Sequence, residues 1–89
     1  MFTRNFALEV APIGIRVNMI APGGVTTEGV SQAQRDMPQE LMQQFLARVP
    51  LGRWGEPDDI ATMALVLATP ISAYVTGATF VVDGGRLLS

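Results

Sequence analysis

The sequence contains no cysteine, no histidine and no lysine. Without cysteine the chain can form neither a disulfide nor a thiolate metal site, a composition that fits a cytoplasmic protein. The absence of histidine and lysine removes the side chains that most often act as general base, metal ligand or amine nucleophile near neutral pH. Carboxylates, hydroxyl groups and the single tyrosine, Tyr74, are what remains for chemistry. We therefore predict no metal site and a cytoplasmic location.

Long apolar runs and clusters of positive charge are also missing. No run reaches the roughly 18 apolar residues that a membrane span needs, and the N-terminus shows no basic-then-apolar signal pattern. All six basic residues are arginines scattered along the chain, and the formal charge is −2. Such a distribution offers no footprint for a phosphate backbone. We therefore predict neither a membrane nor a nucleic acid as partner.

Apolar side chains, in contrast, are abundant. They make up 48% of the 89 residues, whereas charged residues make up 16%. A compact fold of this size buries only about 60 to 65% of its unfolded surface, which leaves more apolar surface than one small core can hide. We therefore expect part of this surface to contact a partner, as a homo-oligomer or through another form of self-association.

The spacing of the apolar residues divides the chain into helices and strands. Residues 1–14 have helical periodicity and are predicted to be the end of a longer helix, because no capping residue precedes them. Residues 15–23 are predicted to be a strand, apolar on both faces from 15 to 20, and a Pro-Gly-Gly turn whose glycines adopt backbone conformations that other residues avoid. Residues 24–56 begin with a polar loop with room for a helical turn, and this loop is either a binding or lid segment or a plain surface connection. They continue into an amphipathic helix.

Two further elements complete the pattern. Residues 57–69 form a predicted apolar helix, and Asp58 and Asp59 complement the positive end of its dipole rather than forming a catalytic pair. Residues 78–85 are predicted to be a second strand ending in an Asp-Gly-Gly turn. A strand, crossover helices and a second strand indicate two parallel, adjacent strands in one sheet. The predicted fold class is therefore α/β.

Three ordered motifs cover nearly the whole chain. They are Ala-Pro-x-Gly-Ile-Arg-Val-Asn-x-Ile-Ala-Pro-Gly over residues 11–23, Pro-Leu-Gly-Arg-x-Gly-x-Pro-x-Asp-Ile-Ala over 50–61, and Thr-Gly-x-x-x-x-Val-Asp-Gly-Gly over 76–85. Together they resemble the short-chain dehydrogenase/reductase family. The resemblance implies that residues 1–89 are a C-terminal fragment of a Rossmann-like, doubly wound parallel sheet, containing the end of the long helix, the last two strands and the substrate-loop region between them.

The resemblance also implies a set of cofactor contacts. In this family the Pro-Gly turn after the penultimate strand lies beside the nicotinamide ring, a backbone position two residues on meets its carboxamide, and a threonine two further on hydrogen-bonds the cofactor. These positions are Pro22, Gly23, Val25 and Thr27 in this chain. The implied function is hydride transfer between NAD or NADP and a small alcohol or carbonyl substrate in the complete enzyme.

Two features of such enzymes are absent from the sequence. They bind the pyrophosphate on a glycine-rich turn and use a Tyr-x-x-x-Lys pair with a serine, whereas Tyr74 has no lysine four residues later. We therefore assign no catalytic residue and expect the isolated chain to bind no cofactor and to be inactive. Two alternatives from other classes are a non-catalytic self-association or subunit-pairing module from a truncated gene, and a non-enzymatic binder of a small ligand.

Overall fold

The computed structural model of the chain describes residues 2–25 and 28–88, without the side chains of 28–31. The helices are α1 (Phe2–Val10), α2 (Glu28–Asp36), α3 (Gln39–Ala47) and α4 (Pro57–Ala68). The strands are β1 (Met19–Pro22) and β2 (Thr79–Val82). Single 3-10 turns lie at Ala11–Ile13, Pro70–Ser72 and Arg86–Leu88.

The two strands lie side by side and run parallel. Met19 is opposite Thr79, and Pro22 is opposite Val82. Helices α2, α3 and α4 come between them in the chain, as in the crossover connection that parallel neighbours require. The α/β fold with parallel, adjacent strands is therefore confirmed, and it brings the carboxyl ends of both strands to one edge.

The first strand begins at Met19, whereas the sequence pattern predicted a start at residue 15. The cause lies in the opposite segment, where Gly77 has a φ of 75° and interrupts the extended backbone. Asn18 completes the pairing here with its side chain: its Nδ2 donates to the Val75 carbonyl at 3.0 Å, and its Oδ1 accepts from the Ala78 N–H at 3.1 Å. Before β1 the two segments are therefore joined by the Asn18 side chain together with one backbone bond, from the Gly77 N–H to the Val17 carbonyl at 2.7 Å.

The polar loop predicted after the turn contains a nine-residue helix, α2. Two side-chain bonds at helical spacing join its last residues: Arg35 donates to Gln32 Oε1 at 2.8 Å, and Gln32 donates to Asp36 Oδ2 at 3.3 Å. Pairs at i, i+3 and i, i+4 stabilise helices without any apolar stripe. Apolar periodicity therefore indicated no more than a helical turn here, whereas α2 has nine residues.

Arg16 connects the segment before β1 to the end of α4. Its Nη2 donates to the Leu67 carbonyl at 2.8 Å, and its Nη1 donates to the Ser72 carbonyl at 2.9 Å and to Ser72 Oγ at 3.1 Å. The last carbonyls of a helix have no partner within it, and a cation complements the negative end of its dipole. One guanidinium therefore closes α4 and holds it beside the strand pair.

Apolar packing within the described residues is sparse. Ala7 and Val49 are the buried hydrophobic residues there. The accessible surface is 6554 Å², whereas a compact monomer of this mass would expose about 5000 Å². The radius of gyration is 16.2 Å, against about 12 Å for a compact domain of this length. The structure therefore leaves much apolar surface, including Phe2, Leu65 and Leu88, exposed to solvent.

We predict that the 89-residue chain does not persist as a compact monomer at micromolar concentration. Two paired strands alone are a poor basis for independent stability, and open strand edges with apolar side chains favour pairing with other chains. Sedimentation velocity should show association that increases with concentration. A monodisperse monomer with strong amide protection at residues 15–20 would contradict this prediction.

Candidate active-site edge

The carboxyl ends of β1 and β2 bring two glycine-containing turns into contact. The Gly23 N–H donates to the Val82 carbonyl at 3.0 Å and extends the pairing by one residue. A Cβ atom added at Gly23 would lie only 2.5 Å from the Cβ of Asp83. Ligands of open α/β sheets bind outside the carboxyl ends of the strands. This edge is therefore the candidate site.

Glycine is needed at positions 23 and 24 because neighbouring groups leave little room for a side chain there. This corrects the expectation that Gly23 and Gly24 adopt unusual backbone conformations. Neither has a positive φ. A Cβ atom at Gly24 would lie 2.7 Å from Phe45 Cζ and 3.2 Å from two ring atoms of Trp54. Real Cβ atoms essentially never make contacts as short as 2.5 or 2.7 Å, so a side chain at Gly23 would displace Asp83 and one at Gly24 would displace the ring of Phe45.

The residues predicted to contact the cofactor lie along this turn as far as the structure describes it. Pro22 is exposed, and Gly23 and Val25 are half-buried. Val25 pairs with Gly55, whose N–H donates to the Gly24 carbonyl at 2.8 Å. Thr27 lies outside the described residues. The roles of these four residues in binding a cofactor remain predictions.

A cavity of about 180 Å³ opens at the same edge. Its lining includes Gly23, Gly24 and Val25 of the turn, together with Arg53 and Asp59. The backbone of the turn therefore borders a space that a small ligand group could enter.

Arg53 and Asp59 form an ion pair at the start of α4. Arg53 Nη1 and Nη2 donate to the two carboxylate oxygens at 3.0 and 3.3 Å, and the Glu56 N–H donates to Asp59 Oδ2 at 2.7 Å. The hydrogen bond from Arg53, and after it the bond from the Glu56 backbone, lower the pKa of Asp59. Both charges are thus satisfied within the protein, in agreement with the predicted role of Asp59 at a helix start rather than in catalysis.

Tyr74 does not belong to this site. It is fully exposed and lies before the amino end of β2, whereas the glycine turns are at the carboxyl end. Among the described residues no group of three or more carboxylates is placed to hold a metal ion. None of the described helices is long and apolar enough to cross a membrane.

Sequence reasoning missed the contact of Phe45 and Trp54 with the turn. Phe45 was predicted to be one member of the apolar face of a helix, and Trp54 a large aromatic in a turn-rich link. Their contact with Gly24 joins positions far apart in the chain, and no local pattern indicates it. The Gly-Gly pair was the available signal, because adjacent glycines are also typical of close packing.

Two parallel strands joined by helices, with a glycine turn at their carboxyl edge, define part of a Rossmann-type α/β fold. Residues 1–86 match the family described as enoyl-(acyl carrier protein) reductase. The chain belongs to the short-chain dehydrogenase/reductase family.

Similar proteins include a galactitol 2-dehydrogenase (L-tagatose-forming) of Cereibacter sphaeroides, which is 51% identical over 83 residues, or 93% of this chain and 32% of that protein. A protein of Agrobacterium tumefaciens solved with bound NADP superimposes with a TM-score of 0.87 at 40% identity, over 99% of this chain and 35% of that one. A 4-hydroxyisoleucine dehydrogenase mutant complexed with NADH and succinate superimposes with a TM-score of 0.89 at 32% identity, over 99% of this chain and 35% of that one. The chain therefore spans about a third of the length of these proteins.

We predict that replacing Arg53 by glutamine raises the pKa of Asp59 toward the ordinary value of an aspartate, because the main cause of the lowering, the hydrogen bond from Arg53, is removed. A carboxylate with a lowered folded-state pKa stabilises the fold above its unfolded pKa and loses that contribution as the pH falls through the folded pKa. The contribution is thus complete at neutral pH and lost in acid, and it is small because both groups are exposed.

The measurement is an NMR titration of the Asp59 carboxyl carbon in the unmodified chain and in Arg53→Gln. Arg35→Gln is the matched control, since Arg35 bonds to Gln32 on a different helix. Identical titration curves for the unmodified chain and Arg53→Gln would show that the ion pair has no influence on Asp59.

Proposed function

We propose that the chain is the C-terminal segment of an NAD(P)-dependent oxidoreductase that transfers hydride between nicotinamide and a small alcohol or carbonyl substrate. The observation that carries the proposal is the turn from Pro22 to Val25, which lies at the carboxyl edge of two parallel strands and borders a cavity. The similarity to the NADP-bound and NADH-bound proteins supports NAD or NADP as the cofactor.

The proposed contribution of this segment is to position the nicotinamide. With the cofactor bound, Pro22 and Gly23 would lie beside the nicotinamide ring, the backbone at Val25 would meet the carboxamide, and the Thr27 hydroxyl would bond to the cofactor. The Gly23 backbone is fixed by its bond to Val82 and by its contact with Asp83. A fixed backbone suits this role, because hydrogen bonds to an amide are directional and a preorganised partner loses little entropy on binding.

Acid–base chemistry and binding of the pyrophosphate belong to residues outside this sequence. A nicotinamide cofactor supplies the hydride or accepts it when bound, while the chain offers no lysine and no Tyr-x-x-x-Lys arrangement. We propose that the isolated chain neither binds the cofactor nor turns over a substrate, and that the complete enzyme is a cytoplasmic homo-oligomer.

A second candidate function is non-catalytic self-association or subunit pairing. The exposed apolar residues favour it, because the described part of the chain leaves more large apolar side chains at the surface than a soluble monomer usually does. Leu65, Ile71, Leu87 and Leu88 are among them. The two functions differ in one respect: a pairing module needs no cofactor.

A graft separates the two. We predict that this chain, joined to the N-terminal two thirds of the galactitol 2-dehydrogenase in place of the matching segment, gives an enzyme that depends on NAD or NADP, whereas the 89-residue chain alone is inactive. Turnover is measured by nicotinamide absorbance with a panel of secondary alcohols and ketones, and the graft with Tyr74→Phe serves as an active control. A folded graft without cofactor-dependent turnover, or turnover by the isolated chain, would contradict the proposal.

Within the graft, Thr27→Val should weaken cofactor binding and leave the fold intact, since it removes a hydroxyl and keeps the shape. Loss of one such hydrogen bond costs about 0.5 to 1.5 kcal/mol, or up to roughly a tenfold rise in Kd. The measurement is a cofactor titration, and Thr26→Val is the matched control. If Thr27→Val binds the cofactor as the parent graft does, Thr27 is an ordinary turn residue.

A further inference from the structure

Two aromatic rings form a stack that joins three parts of the chain. The rings of Phe45, on α3, and Trp54, on the link before α4, are 4.0 Å apart between centroids and inclined by 8°. Trp54 Nε1 donates to the sulfur of Met42 at 3.0 Å, and the guanidinium of Arg86 lies 5.1 Å from the centre of the Phe45 ring. Stacked rings and a cation over one of them are favourable arrangements, so the stack is held from α3 and from the turn after β2.

The same stack lies directly against the candidate site. A Cβ atom built on Gly24 would lie 2.7 Å from Phe45 Cζ and 3.2 Å from two ring atoms of Trp54. The residue after Trp54, Gly55, donates its N–H to the Gly24 carbonyl at 2.8 Å and pairs with Val25. The turn is therefore fixed from one side by two rings and from another by backbone pairing, and Trp54 contributes to both.

We propose that Phe45 and Trp54 are positioning residues that set the placement of the backbone at Gly24 and Val25, and through it the contact with the nicotinamide carboxamide. This inference rests on the proposed function for the role of Val25, and it goes further by assigning two residues that act through the turn. The two rings contact Gly24, so the effect of Phe45 and Trp54 on the cofactor is indirect.

The stack also links the substrate-loop region to the cofactor turn. Phe45 belongs to α3, which lies within residues 24–56. Its Cζ atom, at the end of the ring, is the atom nearest to a Cβ built on Gly24. A displacement of α3 therefore moves the ring away from the turn or into it, because closely packed groups transmit displacement.

The first part of the test uses amide exchange in the folded graft. In the graft with Trp54→Leu we expect the Gly55 N–H to exchange at least tenfold faster, while Trp54→Phe, which keeps a ring for the stack, stays close to the unmodified graft. The internal control is the Gly77 N–H, which bonds to the Val17 carbonyl at 2.7 Å before the other end of the strands and should not change. Unaltered exchange at Gly55, or equal acceleration at Gly55 and Gly77, would overturn the proposal.

The second part uses the graft and separates the kinetic constants. Trp54→Leu should raise the KM for the cofactor about two- to tenfold and leave the KM for the alcohol unchanged, and Trp54→Phe should restore the cofactor KM. A merely structural role would lower the amount of active enzyme without changing either KM. An unchanged cofactor KM would overturn the proposal.

A double substitution guards against loss of folding in a single variant. Gly24→Ala places a methyl group against Phe45 and should raise the cofactor KM, whereas adding Phe45→Leu removes the ring end and should recover part of the loss. Non-additive effects of this kind report direct contact between two residues, and additive effects would overturn the proposal. If the unmodified graft shows no cofactor-dependent turnover, the proposed function fails, and the exchange experiment still decides whether Trp54 fixes the turn.

Discussion

The guanidinium of Arg16 is the contact on which the arrangement of the chain most depends. It donates hydrogen bonds to the Leu67 carbonyl at the end of α4, and to the Ser72 and Val75 carbonyls in the segment before β2. Hydrogen bonds to charged groups are worth about 1.5–3 kcal/mol, and a buried acceptor left unpaired costs about as much. Since apolar burial is sparse in the described residues, this polar network, rather than a core, holds α4 beside the strand pair.

The candidate site follows from that arrangement. Once β1 and β2 are aligned, their turns meet at one edge, and Gly23 contacts Asp83 more closely than any residue with a side chain could. Asp83 in turn accepts from the Gly85 and Leu87 N–H groups at 2.8 Å each. The backbone of the first turn is thus supported by a second turn that is itself closed by hydrogen bonds.

The sequence alone predicted the elements whose causes are local. Apolar runs identified both strands, and Pro57 with two following aspartates identified the start of α4. Other features depend on contacts between distant positions: the Asn18 side chain bonds to the segment before β2, and the rings of Phe45 and Trp54 meet at Gly24. These could not be predicted, because a linear pattern carries the propensity of a segment but not the distance between two segments. The full length of the polar helix α2 was missed for a different reason, since its stabilising pairs lie on the surface.

The pairing of β1 with β2 also has a consequence for how the chain folds. Asn18 and Ala78, which bond at the start of the pair, are 60 residues apart in sequence, and closing a flexible loop of that length costs about 3 to 4 kcal/mol of chain entropy. Helices α2, α3 and α4 depend on local contacts and can form before the loop between the strands closes. We therefore expect the strands to join last, so that the edge between their turns comes into existence only in the final step of folding.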